Sequence, residues 1–114
     1  MATILLIEPH VDRAHRYAES LEKAGLLVEL VSSAATRHDI QPDLVVISVP
    51  RLDRAQFGAV SKNSGLPKIA LSSEPADADR ATEFECAAVL IQPVMYDDLV
   101  TEVRRVLKTT EQPA

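Results

Sequence analysis

Apolar residues along the chain are grouped in short runs that lack strict alternation with polar residues. Uninterrupted runs of this kind are typical of strands that are buried on both faces, as in a parallel sheet. Four runs have this character: residues 3–7, 44–49, 69–71 and 87–91. A fifth run, residues 26–31, is interrupted by Glu29, so it predicts an edge strand with one more polar face.

Helical spacing of apolar residues fills the gaps between these runs. After Pro9, one helix face is formed by Ala14, Tyr17, Ala18, Leu21 and Ala24. This stripe predicts a first helix that begins near Val11, and Gly25 lies where a left-handed cap ends a helix. A second stripe predicts the last helix: Leu99, Val100, Val103, Val106 and Leu107. The residues that follow, 109–114, are expected to form a frayed tail or the start of a linker.

Three further helices are predicted from weaker patterns. Ser73 as an N-cap and Pro75 in the first turn indicate a helix through about Cys86, although its apolar face is thin. Residues 32–40 and 52–63 predict two more helices. The resulting succession of five β–α units predicts an α/β fold, a doubly wound five-stranded parallel sheet with right-handed crossovers and helices on both faces. Ligands of such sheets bind at the carboxyl ends of the strands.

The composition narrows the classes of protein to be considered. The chain has 114 residues, of which 46% are hydrophobic and 25% charged, and this suits one globular domain. No apolar run approaches the roughly 18 residues that span a bilayer, and Cys86 is the single cysteine, so we expect a cytoplasmic protein without a disulfide framework. A net charge of -5 opposes broad binding to nucleic-acid phosphates. The glycines stand too far apart for a glycine-rich nucleotide loop.

Four stretches at the strand ends, followed by the start of the last helix, carry a resemblance to a known family. The stretches are ILLIEPH, PDLVVIS, PKIALSSE and VLIQPV, and YDDL begins the helix. In this order and approximate spacing, the chain resembles the receiver domain of bacterial two-component response regulators (CheY-like) over residues 3–108. The resemblance implies the strand order 2-1-3-4-5 and one receiver-like domain that covers residues 1–108.

The resemblance also assigns positions to the family's phosphorylation chemistry, and most of them are replaced. The family needs an adjacent pair of carboxylates for Mg²⁺ and a phosphoacceptor aspartate, and these positions are Glu8, Pro9 and Ser48 here. The family's lysine position is Gln92, and its aromatic switch position is Val89. Proline has no side-chain oxygen, serine is no nucleophile without a base, and glutamine carries no charge. We therefore expect no aspartyl phosphorylation, and weak or absent Mg²⁺ binding.

Two family positions are retained. The sensing hydroxyl is Ser72, and Pro93 follows Gln92, so the resemblance implies a cis peptide bond there. Intact strands around a dismantled site indicate a pseudo-receiver, which is no enzyme, needs no cofactor and acts in two-component signalling as a phosphorylation-independent interaction module. Because Val89 cannot act as an aromatic switch, we favour a fixed scaffold over a domain whose equilibrium a partner or ligand shifts.

The expected partner is a protein, either a signalling protein or a second copy of the chain, and neither nucleic acid nor a membrane. By resemblance, the partner surface is formed by the fourth helix, the fifth strand and the fifth helix. The candidate residues of this surface are Asp77, Arg80, Glu83, Val94, Tyr96, Arg104 and Lys108.

Other interpretations of the same residues are weaker. His10, Asp12 and His15 have side chains that bind metals, but polar residues of this kind are common at a solvated helix start. Cys86 precedes an apolar strand and is interpreted as a small packing residue.

Two alternative functions are kept open. Ser48, His10 and Glu8 would form a hydrolase triad at the strand ends, although a nucleophile elbow needs small residues on both sides of its serine, and bulky ones flank Ser48. The tripeptide of residues 8–10 also faintly resembles the start of the cobalamin-binding signature, in which Arg13 occupies the glycine position.

Overall fold

A computed structural model of the chain describes residues 2–32, 41–53 and 66–111. Within these ranges there are five strands, β1 (Thr3–Ile7), β2 (Leu27–Val31), β3 (Leu44–Val49), β4 (Lys68–Ser72) and β5 (Ala88–Ile91). The described helices are α1 (Val11–Lys23), a 3₁₀ helix (Pro75–Asp79) and α2 (Tyr96–Glu111). None of them is long and apolar enough to span a bilayer.

The strands form one parallel sheet in the order β2-β1-β3-β4-β5. In the middle of the sheet, Leu6 of β1 pairs with Leu30 of β2 on one side and with Val46 of β3 on the other. Both the parallel sheet and its predicted order are confirmed. The interrupted run is the edge strand β2, in which Leu27 and Glu29 are exposed and the residues between and after them are half-buried or buried.

The sheet separates two hydrophobic cores, because alternate residues of each strand point to opposite faces. Ile4 and Leu6 belong to the first core, which α1 and α2 cover through Tyr17, Leu21 and Leu99 among others. The second core, on the opposite face, contains the other set of strand residues together with Leu52 and Phe84. Of the helices predicted at residues 32–40 and 52–63, residues 33–40 and 54–63 lie outside the described residues.

The ends of α1 follow from local chemistry. His10 is the N-cap, and its Nδ1 accepts a hydrogen bond from the backbone N–H of Arg13 at 3.4 Å. At the other end Gly25 has a φ of +90°, the left-handed conformation that glycine adopts without a Cβ clash. The predicted first helix and its glycine cap are confirmed.

Two of the sequence predictions about helices are wrong in extent. The helix predicted from residue 73 to Cys86 is a 3₁₀ helix of five residues, capped by Glu74 rather than Ser73, and turns follow it up to Glu85, whose φ is +56°. A thin apolar face does not bury enough surface to hold a longer helix on the sheet, since packing supplies most helix stability. The last helix continues to Glu111, three residues beyond the predicted boundary at 108.

Candidate functional site

The candidate site lies at the carboxyl edge of the sheet, where the ends of β1, β3, β4 and β5 meet. Glu8 follows β1, Ser48 is the fifth residue of β3, Ser72 ends β4 and Gln92 follows β5. Parallel strands bring their carboxyl ends to the same edge, so residues 44 positions apart, Ser48 and Gln92, come into contact there. The structure thus brings together the positions that the resemblance assigned.

Gln92 connects the ends of three strands through its side-chain amide. Its Nε2 donates a hydrogen bond to the Ser48 Oγ at 2.7 Å, and its Oε1 accepts one from the Ser73 Oγ at 3.0 Å. The peptide bond between Gln92 and Pro93 is cis, as the resemblance implied. Ser48 therefore has a neutral amide donor beside its hydroxyl, which does nothing to increase its nucleophilicity.

Glu8 is the one carboxylate left at the metal position, and it pairs with an arginine. Only 2% of the residue is exposed. Its Oε1 accepts the backbone N–H of His10 at 2.9 Å and lies 3.4 Å from the Nη2 of Arg13. Its Oε2 is buried and has no hydrogen-bond partner among the described residues. Sequence reasoning missed Arg13 as Glu8's partner, although its position in the first turn of a helix that follows Glu8 was the available signal.

The residues of this edge do not fit the Mg²⁺ ion that the receiver resemblance implies. A magnesium site needs several oxygen ligands in octahedral geometry, and anionic oxygens supply most of the attraction. Pro9 offers no side-chain oxygen, Ser48 is neutral, and the Arg13 guanidinium already brings a positive charge to Glu8. A divalent cation at Glu8 would meet this charge at close range, so the donor set does not match the ion.

His10 and its polar neighbours do not form a metal centre either. The Nδ1 of His10 caps α1. Within the described ranges, no group of three or more histidine, cysteine, aspartate or glutamate side chains is arranged to hold a metal ion.

Asp77 is the most connected polar group of the site, and it corrects a sequence prediction. It was assigned to the partner surface, but only 1% of it is exposed. Its Oδ2 accepts hydrogen bonds from the Ser72 Oγ and from the backbone N–H of Leu52, both at 2.7 Å. Its Oδ1 accepts one from Nη1 of Arg80 at 2.9 Å. The 3₁₀ helix turns this carboxylate inward, because there it satisfies donors from three parts of the chain.

The electrostatics of Asp77 favour the charged form. Burial by itself raises the pKa of this carboxyl, but the hydrogen bonds from Ser72, the Leu52 amide and Arg80 outweigh burial and hold the pKa below its ordinary value. Ser72, which the resemblance identifies as the sensing hydroxyl, donates a hydrogen bond to Asp77 and accepts one from the backbone N–H of Glu74 at 3.0 Å. The Ser72 hydroxyl is thus already hydrogen-bonded to an internal anion, the Asp77 carboxylate.

The position of the family's aromatic switch is occupied by packing residues. Val89 is half-buried and packs against the second core together with Cys86. Burial raises the pKa of the Cys86 thiol to about 11, while the charge of Lys68 acts in the opposite direction. At neutral pH the thiol is therefore protonated, as expected for a packing cysteine.

A pocket of about 330 Å³ opens beside Gln92, between α1, the end of β5 and the start of α2. Its lining residues are Arg13, Tyr17, Ser73, Gln92, Pro93, Val94 and Tyr96. The two tyrosine rings pack edge to face, with centroids 5.9 Å apart. Burial raises the pKa of Tyr17, although a hydrogen bond with Gln92 lowers it in part.

The remaining candidates for the partner surface lie on both faces of the sheet. Arg80 lies over the Phe84 ring at 4.8 Å and pairs with Glu83 at 3.0 Å, so both residues belong to the face of the second core. Arg104 donates to the carbonyl of Ala24 at 3.1 Å, at the end of α1 and on the face of the first core. Val94 is half-buried, whereas Tyr96 and Lys108 are exposed.

No protein-family model matches the chain, and no curated protein matches it. Solved structures do match. The CheY-like receiver domain protein of Methanospirillum hungatei is 18% identical at a TM-score of 0.80, with 97% of each chain covered. The receiver domain protein of Clostridium thermocellum is 20% identical at a TM-score of 0.80, and 97% of this chain and 98% of that chain are covered.

A third match is the non-phosphorylated HemR receiver domain of Leptospira biflexa, which is 21% identical at a TM-score of 0.79 over the whole of both chains. At such identities the likeness establishes the fold. The chain has the fold of response regulator receiver domains.

Proposed function

We propose that this chain is a pseudo-receiver, a receiver-like domain of two-component signalling that works by protein–protein interaction without being phosphorylated. The observation that carries the proposal is the Gln92–Ser48 hydrogen bond of 2.7 Å at the positions of the family's lysine and phosphoacceptor. A neutral amide on a neutral hydroxyl replaces a cation beside a nucleophilic carboxylate. Phosphoryl transfer depends on charges placed around the reacting group, so its main contributions are missing.

The ion pair between Glu8 and Arg13 supports the same proposal. In the family, the carboxylate at this position attracts Mg²⁺, which neutralises the phosphoryl oxygens. Here the guanidinium lies 3.4 Å from the Glu8 carboxylate and offsets its charge. The chain then gains little electrostatic stabilisation by binding a metal ion at this edge.

The bonds around Ser72 favour a fixed scaffold over a switch. A sensing hydroxyl must be able to exchange partners when a phosphoryl group arrives. Ser72 is fully buried, donates to the Asp77 carboxylate at 2.7 Å and accepts from the Glu74 amide. A hydrogen bond to a buried charged group is among the stronger ones, so releasing this hydroxyl costs about 2 kcal/mol.

The hydrolase alternative lacks a base at the serine. His10 directs Nδ1 to the backbone N–H of Arg13, where it caps α1. Ser48 accepts its hydrogen bond from Gln92, and Glu8 is engaged by Arg13. These three residues share an edge of the sheet but are not arranged as nucleophile, base and orienting acid.

The proposed partner is a signalling protein or a second copy of the chain, in the cytoplasm. The exposed charged segment that Asp77 anchors, with Arg80 and Glu83, is one candidate contact surface. Charge reversal of Glu83 to arginine would place two like charges in that segment. In affinity capture from the source cell, we expect this variant to lose partner proteins that the wild-type chain binds. We expect the wild-type chain to bind the same partners with and without prior treatment with acetyl phosphate.

An amide NMR titration with beryllofluoride and Mg²⁺ tests the phosphorylation-independent site. Beryllofluoride mimics a phosphoryl group on an aspartate, so a complete receiver domain serves as the positive control. We expect no saturable shifts at Glu8, Ser48 or Ser72. Saturable shifts clustered at these three residues would refute the pseudo-receiver proposal.

A further inference from the structure

We infer that the pocket beside Gln92 is a binding site for a small organic carboxylate with an apolar tail. This inference goes beyond the proposed interaction function and does not depend on it, because the pocket and its lining exist whatever protein the domain contacts. Three features carry it: the size of the pocket, its apolar wall and the one cation among its described lining residues.

The size and wall of the pocket suit a compact apolar group. A volume of about 330 Å³ is at the lower end of the range, about 300 to 1,000 Å³, in which small-molecule sites fall. The wall consists of the rings of Tyr17 and Tyr96 together with Pro93 and Val94. Tyr17 is buried in the first core and its ring packs against that of Tyr96, so this part of the wall is formed without a ligand.

The cation at the rim is the guanidinium of Arg13. Its ion pair within the described residues is the one with Glu8 at 3.4 Å, and 45% of its side chain is exposed. A guanidinium has five N–H donors in a planar fork, so several remain for a second carboxylate while the contact with Glu8 persists. Bidentate pairing of this kind orients a carboxylate as well as binding it.

The surrounding charges limit the ligand to one negative charge. Glu8 offsets part of the Arg13 charge, and Asp97 and Asp98 lie exposed in the first turn of α2, next to Tyr96. A dianion such as phosphate meets this repulsion twice, whereas a monocarboxylate meets it once. An apolar tail then supplies binding that inorganic phosphate cannot obtain from the tyrosine wall.

Tyrosine emission reports on this pocket alone. The chain has two tyrosines and no tryptophan, and both tyrosines line the pocket. A ligand seated on the rings changes their surroundings, so its binding curve can be followed without a label. A branched aliphatic acid, 4-methylpentanoate, does not absorb where tyrosine is excited, and 4-methylpentanamide is its neutral match.

The experiment titrates the full chain with 4-methylpentanoate, 4-methylpentanamide and inorganic phosphate. We expect saturation by the carboxylate at millimolar concentrations, and binding of the amide and of phosphate that is at least about tenfold weaker. No saturable change with the carboxylate, or equal binding of the carboxylate and the amide, would overturn the inference. Tighter binding of phosphate than of the carboxylate would overturn it as well, because the ligand would then be a phosphate.

Two arginine variants test the cation on the protein side. Arg13→Gln is expected to weaken carboxylate binding at least about tenfold, with a far-ultraviolet spectrum like that of the wild type. Arg16→Gln removes the same charge from an exposed position of α1 and should bind as the wild type does. Equal weakening in both variants would overturn the inference. The comparison of carboxylate and amide on the wild-type chain decides the matter if Arg13→Gln does not fold.

Discussion

Arg13 and Asp77 determine the electrostatics of the carboxyl edge of the sheet. Arg13 brings a positive charge to Glu8 at 3.4 Å, and Asp77 brings a buried negative charge to Ser72 at 2.7 Å. The edge thereby contains its own cation and its own anion, each bonded to a residue that the family uses for phosphorylation. Under the pseudo-receiver proposal, this internal pairing takes the place of the metal ion and the phosphoryl group.

Asp77→Asn tests the importance of the buried anion. The amide keeps the size of the side chain but removes the charge that Arg80, Ser72 and the Leu52 amide share. We expect the free energy of unfolding, measured in urea, to fall by about 2 to 4 kcal/mol. Asp79→Asn is the matched control at an exposed position of the same 3₁₀ helix, where a change within about 0.5 kcal/mol is expected. Equal losses in the two variants would contradict the role of Asp77.

The stability of the folded chain should depend on pH through the Asp77 carboxyl. Its pKa in the folded chain is below the ordinary value, about 3.9 for aspartate, because the hydrogen bonds from Ser72, Leu52 and Arg80 outweigh the effect of burial. The unfolded chain therefore takes up this proton first on acidification. The stabilisation by Asp77 is complete at pH values above the pKa of the unfolded chain, and it is lost as the pH falls through the pKa of the folded chain.

Urea unfolding of the wild type and of Asp77→Asn between pH 7 and pH 3 measures this effect. We expect the difference in unfolding free energy to be constant near neutrality and to shrink below about pH 4. A difference that stays constant or grows on acidification would show that Asp77 is not the titrating group.

At the scale of elements, the strands were predicted well and the segment after β4 was not. A strand buried on both faces leaves a local mark, the uninterrupted apolar run, and the predicted runs match β1 to β5 within one residue at each end. The segment from Ser73 to Cys86 depends instead on a distant contact. Asp77 reaches Leu52, 25 residues earlier, and no local pattern indicates that pairing.

The contrast between the central and edge strands gives a prediction for the elements themselves. Leu5 of β1 is 1% exposed in the second core, whereas Leu27 of the edge strand β2 is 51% exposed. We expect Leu5→Ala to lower the free energy of unfolding by about 2 to 5 kcal/mol, because it leaves a cavity in the second core. Leu27→Ala should cost less than about 1 kcal/mol. Similar costs measured in urea would contradict the assignment of β1 to the sheet interior.

At the scale of the whole molecule, the fold is retained while the chemistry of one edge is replaced. Its class, strand order and cis peptide bond followed from patterns and from the receiver resemblance. The replaced positions Pro9, Ser48 and Gln92 were also visible in the sequence. The contacts of Arg13 and Asp77 at this edge were not visible in the sequence, because they exist only after the strands have brought distant residues together.

The partner surface is a second feature that the sequence predicted only in part. The receiver resemblance places Asp77, Arg80 and Arg104 on one surface, but the structure buries the first, and the other two lie on opposite faces of the sheet. Exposure of a charged side chain on a short segment depends on where that segment packs. The burial of Asp77 therefore removes one of the seven residues from the predicted surface.

Intact-protein mass spectrometry after incubation with acetyl phosphate and Mg²⁺ tests the central claim most directly. A receiver domain with its aspartate, both metal carboxylates and its lysine, treated in parallel, shows that the donor is active. We predict that the mass of this chain stays unchanged, because Ser48 is neutral and bonded to Gln92 and because Arg13 offsets the charge of Glu8. A stoichiometric phosphoryl adduct on this chain would contradict the claim that it works without phosphorylation.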